Sequence, residues 1–313
     1  MSMGRDGLRR DGNRTMVRVM AEAGIYIHAG AHRTGTSSFQ LFLSANAARI
    51  RAMGHDLAYP ARDGIPGGRL RLRLPGLGTG GRRRDELRAF LTEEMAVHST
   101  APDRPLILSE ENIPGRMMHF YGGAFYPAIR RRLRLLRSVL PGPVRRLVYV
   151  IRPYDALFVS AFRKRSEDNP VDPFDTIKPA LLGMEEGWPH VVSALRDVLA
   201  PEELVVRSYD RRGDDADLLR RLVPDLPEGG WQMPERRLNV SATDAALFAL
   251  QGVYAAGGTL DRAGWQAVVS DHSGDRADRG YARFTKEERA LLRARYDDHL
   301  AELGSMDGIV LET

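Results

Sequence analysis

The sequence predicts an α/β fold, a parallel sheet with helices on both faces and a helical C-terminal third. Three observations lead there. Short β-branched apolar runs at residues 25–27, 106–108, 147–151 and 204–206 alternate with stretches of helical periodicity, the pattern of a wound parallel sheet. The first run breaks into a glycine-bounded turn that opens a helix. The chain has 313 residues and an apolar fraction of 43%, enough for one large domain with a full core.

Residues 25–42 read IYIHAGAHRTGTSSFQLF. Ile25, Tyr26 and Ile27 favour a buried strand, Gly30 and Gly35 let the backbone turn tightly, and Thr36, Ser37 and Ser38 suit the first turn of a helix. The N–H groups of such a turn lack intrahelical partners and the helix dipole adds positive potential, so the loop suits an anion. Gly30 and Gly35 keep the GxxxxG spacing of a P-loop, which makes the predicted sheet P-loop-type. Yet Thr36 stands where a nucleotidase carries its phosphate-gripping lysine, and the cation lies inside the loop, at Arg33. A strand-turn-helix with incidental glycines is the plainer alternative.

Residues 63–81 form a Gly-, Pro- and Arg-rich loop, an insertion or a lid, too long for a tight connection. A predicted helix over 83–97 leads into PLILSEENIP at 105–114, a strand ending in Ser109, Glu110, Glu111 and Asn112. Carboxylates there sit at the edge of a parallel sheet where ligands bind, although a capping or salt-bridging pair reads equally well. Around residues 130–137 arginines alternate with leucines at helical spacing, a solvated helix face rather than a nucleic-acid patch. The strand at 147–151 ends at Arg152, a helix starts over Pro153 to Asp155, and Ser160 follows Arg152 by eight residues. A guanidinium and a hydroxyl so placed can converge on one phosphate. Predicted helices over 188–199, 214–223, 242–254 and 285–303, with a strand at 204–206, complete the chain; Ser241-x-x-Asp244 and Thr285-x-x-Glu288 are capping signals.

Together these segments resemble the sulfotransferases that use 3′-phosphoadenosine 5′-phosphosulfate (PAPS). Arg33-Thr34-Gly35-Thr36-Ser37 is similar to the 5′-phosphosulfate loop of bacterial members, His-Lys-Thr-Gly-Thr-Thr, with Arg33 for the lysine and Ser37 for the last threonine. Arg152-Pro153-Tyr154-Asp155 with Ser160, Phe162 and Arg163 resembles the 3′-phosphate segment, its Arg and Pro one residue closer than in the commonest form. The resemblance spans residues 24–165.

It implies transfer of a sulfuryl group from PAPS to an acceptor hydroxyl, carbohydrate or glycolipid among the candidates, with no metal. Arg33, Thr34, Gly35, Thr36, Ser37 and Ser38 would hold the 5′-phosphosulfate, and Arg152 and Ser160 the 3′-phosphate. Glu111 would take the acceptor's proton, with Glu110 and His32 as rivals. The stretch Arg236-Arg237-Leu238-Asn239-Val240-Ser241 resembles an Arg-x-Asn-x-Ser segment of related enzymes, whose basic pair would reach the 3′-phosphate; a late Arg-Lys-Gly loop is missing.

Composition bounds the rest. No run approaches the roughly 20 apolar residues of a membrane span. The net charge of +5 and pI near 9.6 come almost wholly from arginine, since three of the 46 basic residues are lysine, and suit a polyanionic donor. Residues 1–23 lack the apolar core of a secretory signal and read as a disordered leader; the absence of cysteine points to the cytoplasm. No nucleic-acid module appears. Two other classes compete. A P-loop kinase or nucleotidase predicts a lysine in place of Thr36, and a non-catalytic anion- or glycan-binding protein is possible on the same scaffold.

Overall fold

The computed structural model describes residues 23–235 and 241–313. The segments 1–22 and 236–240, which hold most of the predicted leader and of the Arg-x-Asn-x-Ser stretch, lie outside the described residues.

Six parallel strands make one sheet in the order β2-β3-β1-β4-β5-β6: β1 Ile25–His28, β2 Asp56–Ala58, β3 Leu106–Ser109, β4 Val144–Ile151, β5 Glu203–Ser208 and β6 Ile309–Glu312. The sequence reading missed β2 and β6. β2 is three residues long, too short to show a period. β6 is only partly buried at the sheet edge and adds a strand to a C-terminal third that is otherwise helical.

The helices are α1 Thr36–Ala45, α2 Ala47–Ala52, α3 Gly81–His98, α4 Ile129–Arg137, α5 Tyr154–Ser166 and α6 Phe174–Leu182. They continue as α7 Trp188–Ala194, α8 Asp215–Leu222, α9 Asp244–Ala255, α10 Arg262–Asp271 and α11 Lys286–Ser305. α11 starts at the expected Thr285–Glu288 capping box. The cap of α9 is Thr243, whose hydroxyl accepts from the Ala246 N–H, not Ser241. No helix among the described residues is long and apolar enough to cross a membrane.

Alternation along β4 divides the core into two layers. Leu147, Tyr149 and Ile151 pack with Leu91, Leu133, Leu157, Trp188 and Leu292 from helices α3 to α11. Val148 and Val150 face the other way, against Phe39, Phe42, Ile50, Leu218 and Leu222 of α1, α2 and α8. Each such buried side chain stabilises the fold by roughly 1.5–3 kcal/mol, so the sheet is a rigid base for the loops at its carboxyl edge. The long segment 63–81 is strapped down beside it. Ile65 and Leu70 are buried, Arg71 pairs with buried Glu94 at 2.9 Å, and Arg132 donates to the Leu74 and Pro75 carbonyls at 3.2 Å.

The chain leaves β1 through α1 toward β2 on one side and leaves β4 through α5 toward β5 on the other. Neighbouring strands whose connections diverge open a crevice at their carboxyl ends.

Candidate functional site

The loop after β1 lies along β4: the Ala29 and Ala31 N–H groups donate to the Val148 and Val150 carbonyls at 3.2 and 3.1 Å. Gly30, Arg33 and Gly35 all take positive φ, +23°, +65° and +86°. Glycine is required at position 30, because a Cβ there would stand 2.5 Å from Thr36 Oγ1. Gly35 is the N-cap of α1 and offers no side chain to the first-turn N–H groups. Thr36 Oγ1 and His28 Nε2 are buried, with no hydrogen-bond partner among the described residues. A buried hydroxyl and an uncapped helix start fit a bound anion, whose oxygens would satisfy both.

Arg33 is strained, since a non-glycine residue in the left-handed region needs its surroundings to hold it there. Two contacts do so. Its Nε donates to Ser160 Oγ at 2.9 Å, and the Arg152 guanidinium donates to its carbonyl at 2.9 Å. Arg152 is in turn placed by Trp188, whose indole N–H donates to the Arg152 carbonyl at 2.9 Å, and its guanidinium lies 4.9 Å from the Tyr209 ring centroid. Burial lowers the Arg152 pKa, and the nearby Arg33 charge adds to the effect. Neither arginine makes an ion pair with a carboxylate among the described residues.

The structure therefore brings Arg33, Gly35, Thr36, Arg152 and Ser160 together, with Ser37 buried in the same helical turn. Two expected loop ligands are used otherwise. Thr34 Oγ1 donates to the Ala31 carbonyl, closing the turn, and Ser38 Oγ donates to Asp215 Oδ2 at 2.6 Å. Asp215 also pairs with Arg212, which donates to the Gly35 carbonyl at 3.3 Å. The sequence reading missed this Arg212–Asp215 latch; its signal was the charged run directly after the predicted strand at 204–206, at the same sheet edge.

The acidic candidates separate. Glu110 is buried, pairs with Arg62, and accepts from the Asn112 N–H at 2.7 Å and side-chain amide at 3.1 Å. Glu111 is partly exposed and lines a cleft with His32, Arg33 and Tyr121. His32 has both ring nitrogens engaged, Nδ1 with the Tyr126 hydroxyl at 3.1 Å and Nε2 with Asn112 Oδ1 at 2.9 Å. Because the Asn112 amide donates to Glu110, its oxygen is the acceptor, which assigns the His32 proton to Nε2. Burial pushes the His32 pKa down to about 4. The imidazole is neutral and shapes the turn.

Two clefts flank this centre. One, of about 410 Å³, is lined by Glu111, Ala161, Lys164 and Arg165; the other, of about 810 Å³, is lined by Asp155, Val159, Arg163, Ser241 and Thr243 among others. On α5 the two sets occupy different faces, and Ser160 falls between them. The Arg33–Ser160 hydrogen bond is thus the ridge separating the clefts. Compared with known protein families and with curated proteins, the chain matches none.

Proposed function

We propose that this protein is a PAPS-dependent sulfotransferase acting in the cytoplasm on an acceptor hydroxyl, with carbohydrate and glycolipid hydroxyls among the candidates. One observation carries the reading. The Arg33 side chain reaches Ser160 while Arg152 holds the Arg33 main chain, so two anion-suited segments more than 100 residues apart form a single cationic centre. A nucleotide with phosphate at both 5′ and 3′ positions is the ligand that such a double arrangement suits.

When bound, that donor supplies a sulfuryl group whose leaving group is a phosphate. Arg33, Thr36 and the first-turn amides of α1 hold negative charge at the loop and stabilise what develops there on transfer. Arg152 and Ser160 engage the 3′-phosphate, which ADP and ATP lack. Glu111 takes the proton from the acceptor oxygen. Glu110 instead holds Asn112 and Arg62, and through Asn112 the neutral His32.

Thermal shift with 3′-phosphoadenosine 5′-phosphate (PAP), ADP, ATP and GDP tests the reading. A ligand bound at 100 times its dissociation constant adds about 2.7 kcal/mol of stability, so PAP should raise the Tm at concentrations where the other three do not. Equal shifts from PAP and ADP, or ATP outperforming PAP, would overturn it.

A further inference from the structure

We infer that the cleft beside Glu111 binds an anionic group, a carboxylate or a sulfate, on the acceptor itself, through Arg116 and Arg165. The inference rests on the sulfotransferase reading for the word acceptor, but the anion site stands on its own observations.

The cleft of about 410 Å³ carries five cations, Arg33, Arg62, Arg116, Lys164 and Arg165, against the carboxylates of Glu111 and Asp168. Arg62 is committed to Glu110 and Lys164 to Glu167 at 2.6 Å. Arg116 and Arg165 make no ion pair among the described residues; Arg165 only lies 5.9 Å from the Tyr121 ring centroid.

Behind the cleft sits a further guanidinium. Arg132 is 7% exposed and donates to the carbonyls of Asn112, Ile113, Leu74 and Pro75, with no carboxylate. Burial and then the charge of Arg116 lower its pKa to about 10 against a smaller opposing pull from Glu110, so the two cations feel one another. Carbonyl dipoles satisfy the Arg132 donors but leave its charge in place. Like charges gathered near a low-dielectric wall repel, and an incoming anion relieves that repulsion.

Arg33 belongs to both the cleft and the donor centre, but Arg116 and Arg165 are additional to the cations of the donor centre. Ala161, Lys164 and Arg165 face one side of α5, whereas Asp155, Val159 and Arg163 face the other, with the Arg33–Ser160 ridge between. Met117, Met118 and Tyr121 supply apolar surface for the body of the acceptor.

The test is calorimetric titration of the PAP-saturated protein, so that the donor centre is closed to the probe. The probes are a sulfated, uronate-containing tetrasaccharide and a neutral tetrasaccharide. Wild type should bind the anionic probe and not the neutral one. Arg116→Gln/Arg165→Gln should weaken that binding roughly tenfold or more, whereas Arg134→Gln/Arg137→Gln, two exposed α4 arginines outside the cleft, should change it less than about twofold; the PAP-induced Tm shift should be unchanged in both. Equal loss in the two variants would mean general attraction to a basic surface and would overturn the site, as would wild type that binds both probes alike or neither. A wild type without a PAP shift strikes the donor reading instead, and the probe titration, repeated without nucleotide, still decides the cleft through its dependence on Arg116 and Arg165.

Discussion

The guanidinium of Arg152 donates to the main-chain carbonyl of Arg33 at 2.9 Å across 119 residues of sequence. The contact joins the end of β4 to the loop after β1, and it holds a residue whose φ of +65° is otherwise unfavourable. In the proposed function Arg152 therefore does two jobs, gripping the 3′-phosphate and keeping the Arg33 side chain aimed at Ser160.

Those jobs can be told apart. Arg152→Ala should cost about 2–5 kcal/mol of PAP affinity, the range for truncating one partner of a close charge pair. ADP, without the 3′-phosphate, should weaken only by what a looser Arg33 costs, about 1 kcal/mol for one lost hydrogen bond. Calorimetry with both nucleotides measures the difference. If the two weaken by the same factor, Arg152 serves the loop alone.

Glu110 and Glu111 are adjacent in sequence but should respond oppositely to the same substitution. Glu111→Gln should lower turnover by about 10²–10⁴-fold, as loss of a general base does. Glu110→Gln removes the charge of a side chain that is 3% exposed and paired with Arg62. Its main effect should be a loss of stability of about 1–3 kcal/mol. PAP release and thermal unfolding, measured on both variants, separate the roles; a Glu111→Gln enzyme with ordinary turnover sinks the assignment.

Gly30→Ala should strip the loop of anion binding. The new methyl would meet Thr36 Oγ1 at 2.5 Å on a backbone with φ of +23°, a strain of about 1–3 kcal/mol. Adding Thr36→Ala removes the clashing oxygen and should recover part of the lost Tm. It should not recover PAP binding, because the buried hydroxyl goes with it. Recovery of both would show that Gly30 matters for space only and that Thr36 is no ligand.

Much of this site was legible because its signals are local. Gly30, Arg33, Gly35 and Thr36 lie within seven residues, and the strand-to-helix turn dictates where their backbone must point. Arg152 and Ser160 share one strand-helix junction, so their spacing carried the geometry. What stayed hidden depends on contacts between distant segments. Nothing near Thr34 or Ser38 in the chain announces that one hydroxyl closes the turn on Ala31 and the other goes to Asp215. Apart from the resemblance, which ranks Glu111 first, Glu110 and Glu111 read alike until Arg62 and Asn112 converge on Glu110. The two missed strands failed for different reasons: β2 is defined by the neighbour it pairs with, whereas the apolar run 309–311 of β6 carries a strand signal like that of β5 but sits at the end of an otherwise helical third.

Acidification should destabilise the protein through two buried imidazoles. Burial, the largest cause in each case, holds His28 at about 3 and His32 at about 4, whereas unfolded histidine titrates near about 6.5. Between those values the unfolded chain binds protons that the native fold refuses, so the stability is whole above pH of about 6.5 and falls as the pH drops toward 4. Below its native pKa each group stops contributing to the fall. For His32 the gap corresponds to roughly 3 kcal/mol. His32→Gln should be the less stable protein at neutral pH, because Tyr126 and Asn112 lose their partner, yet its Tm should decline less than that of wild type from pH 7 to pH 4.5. The same neutrality predicts that the turnover of the His32→Gln enzyme keeps the wild-type pH profile in shape, only lowered. A profile whose acidic limb vanished with His32 would transfer the proton-accepting role from Glu111 to the loop histidine.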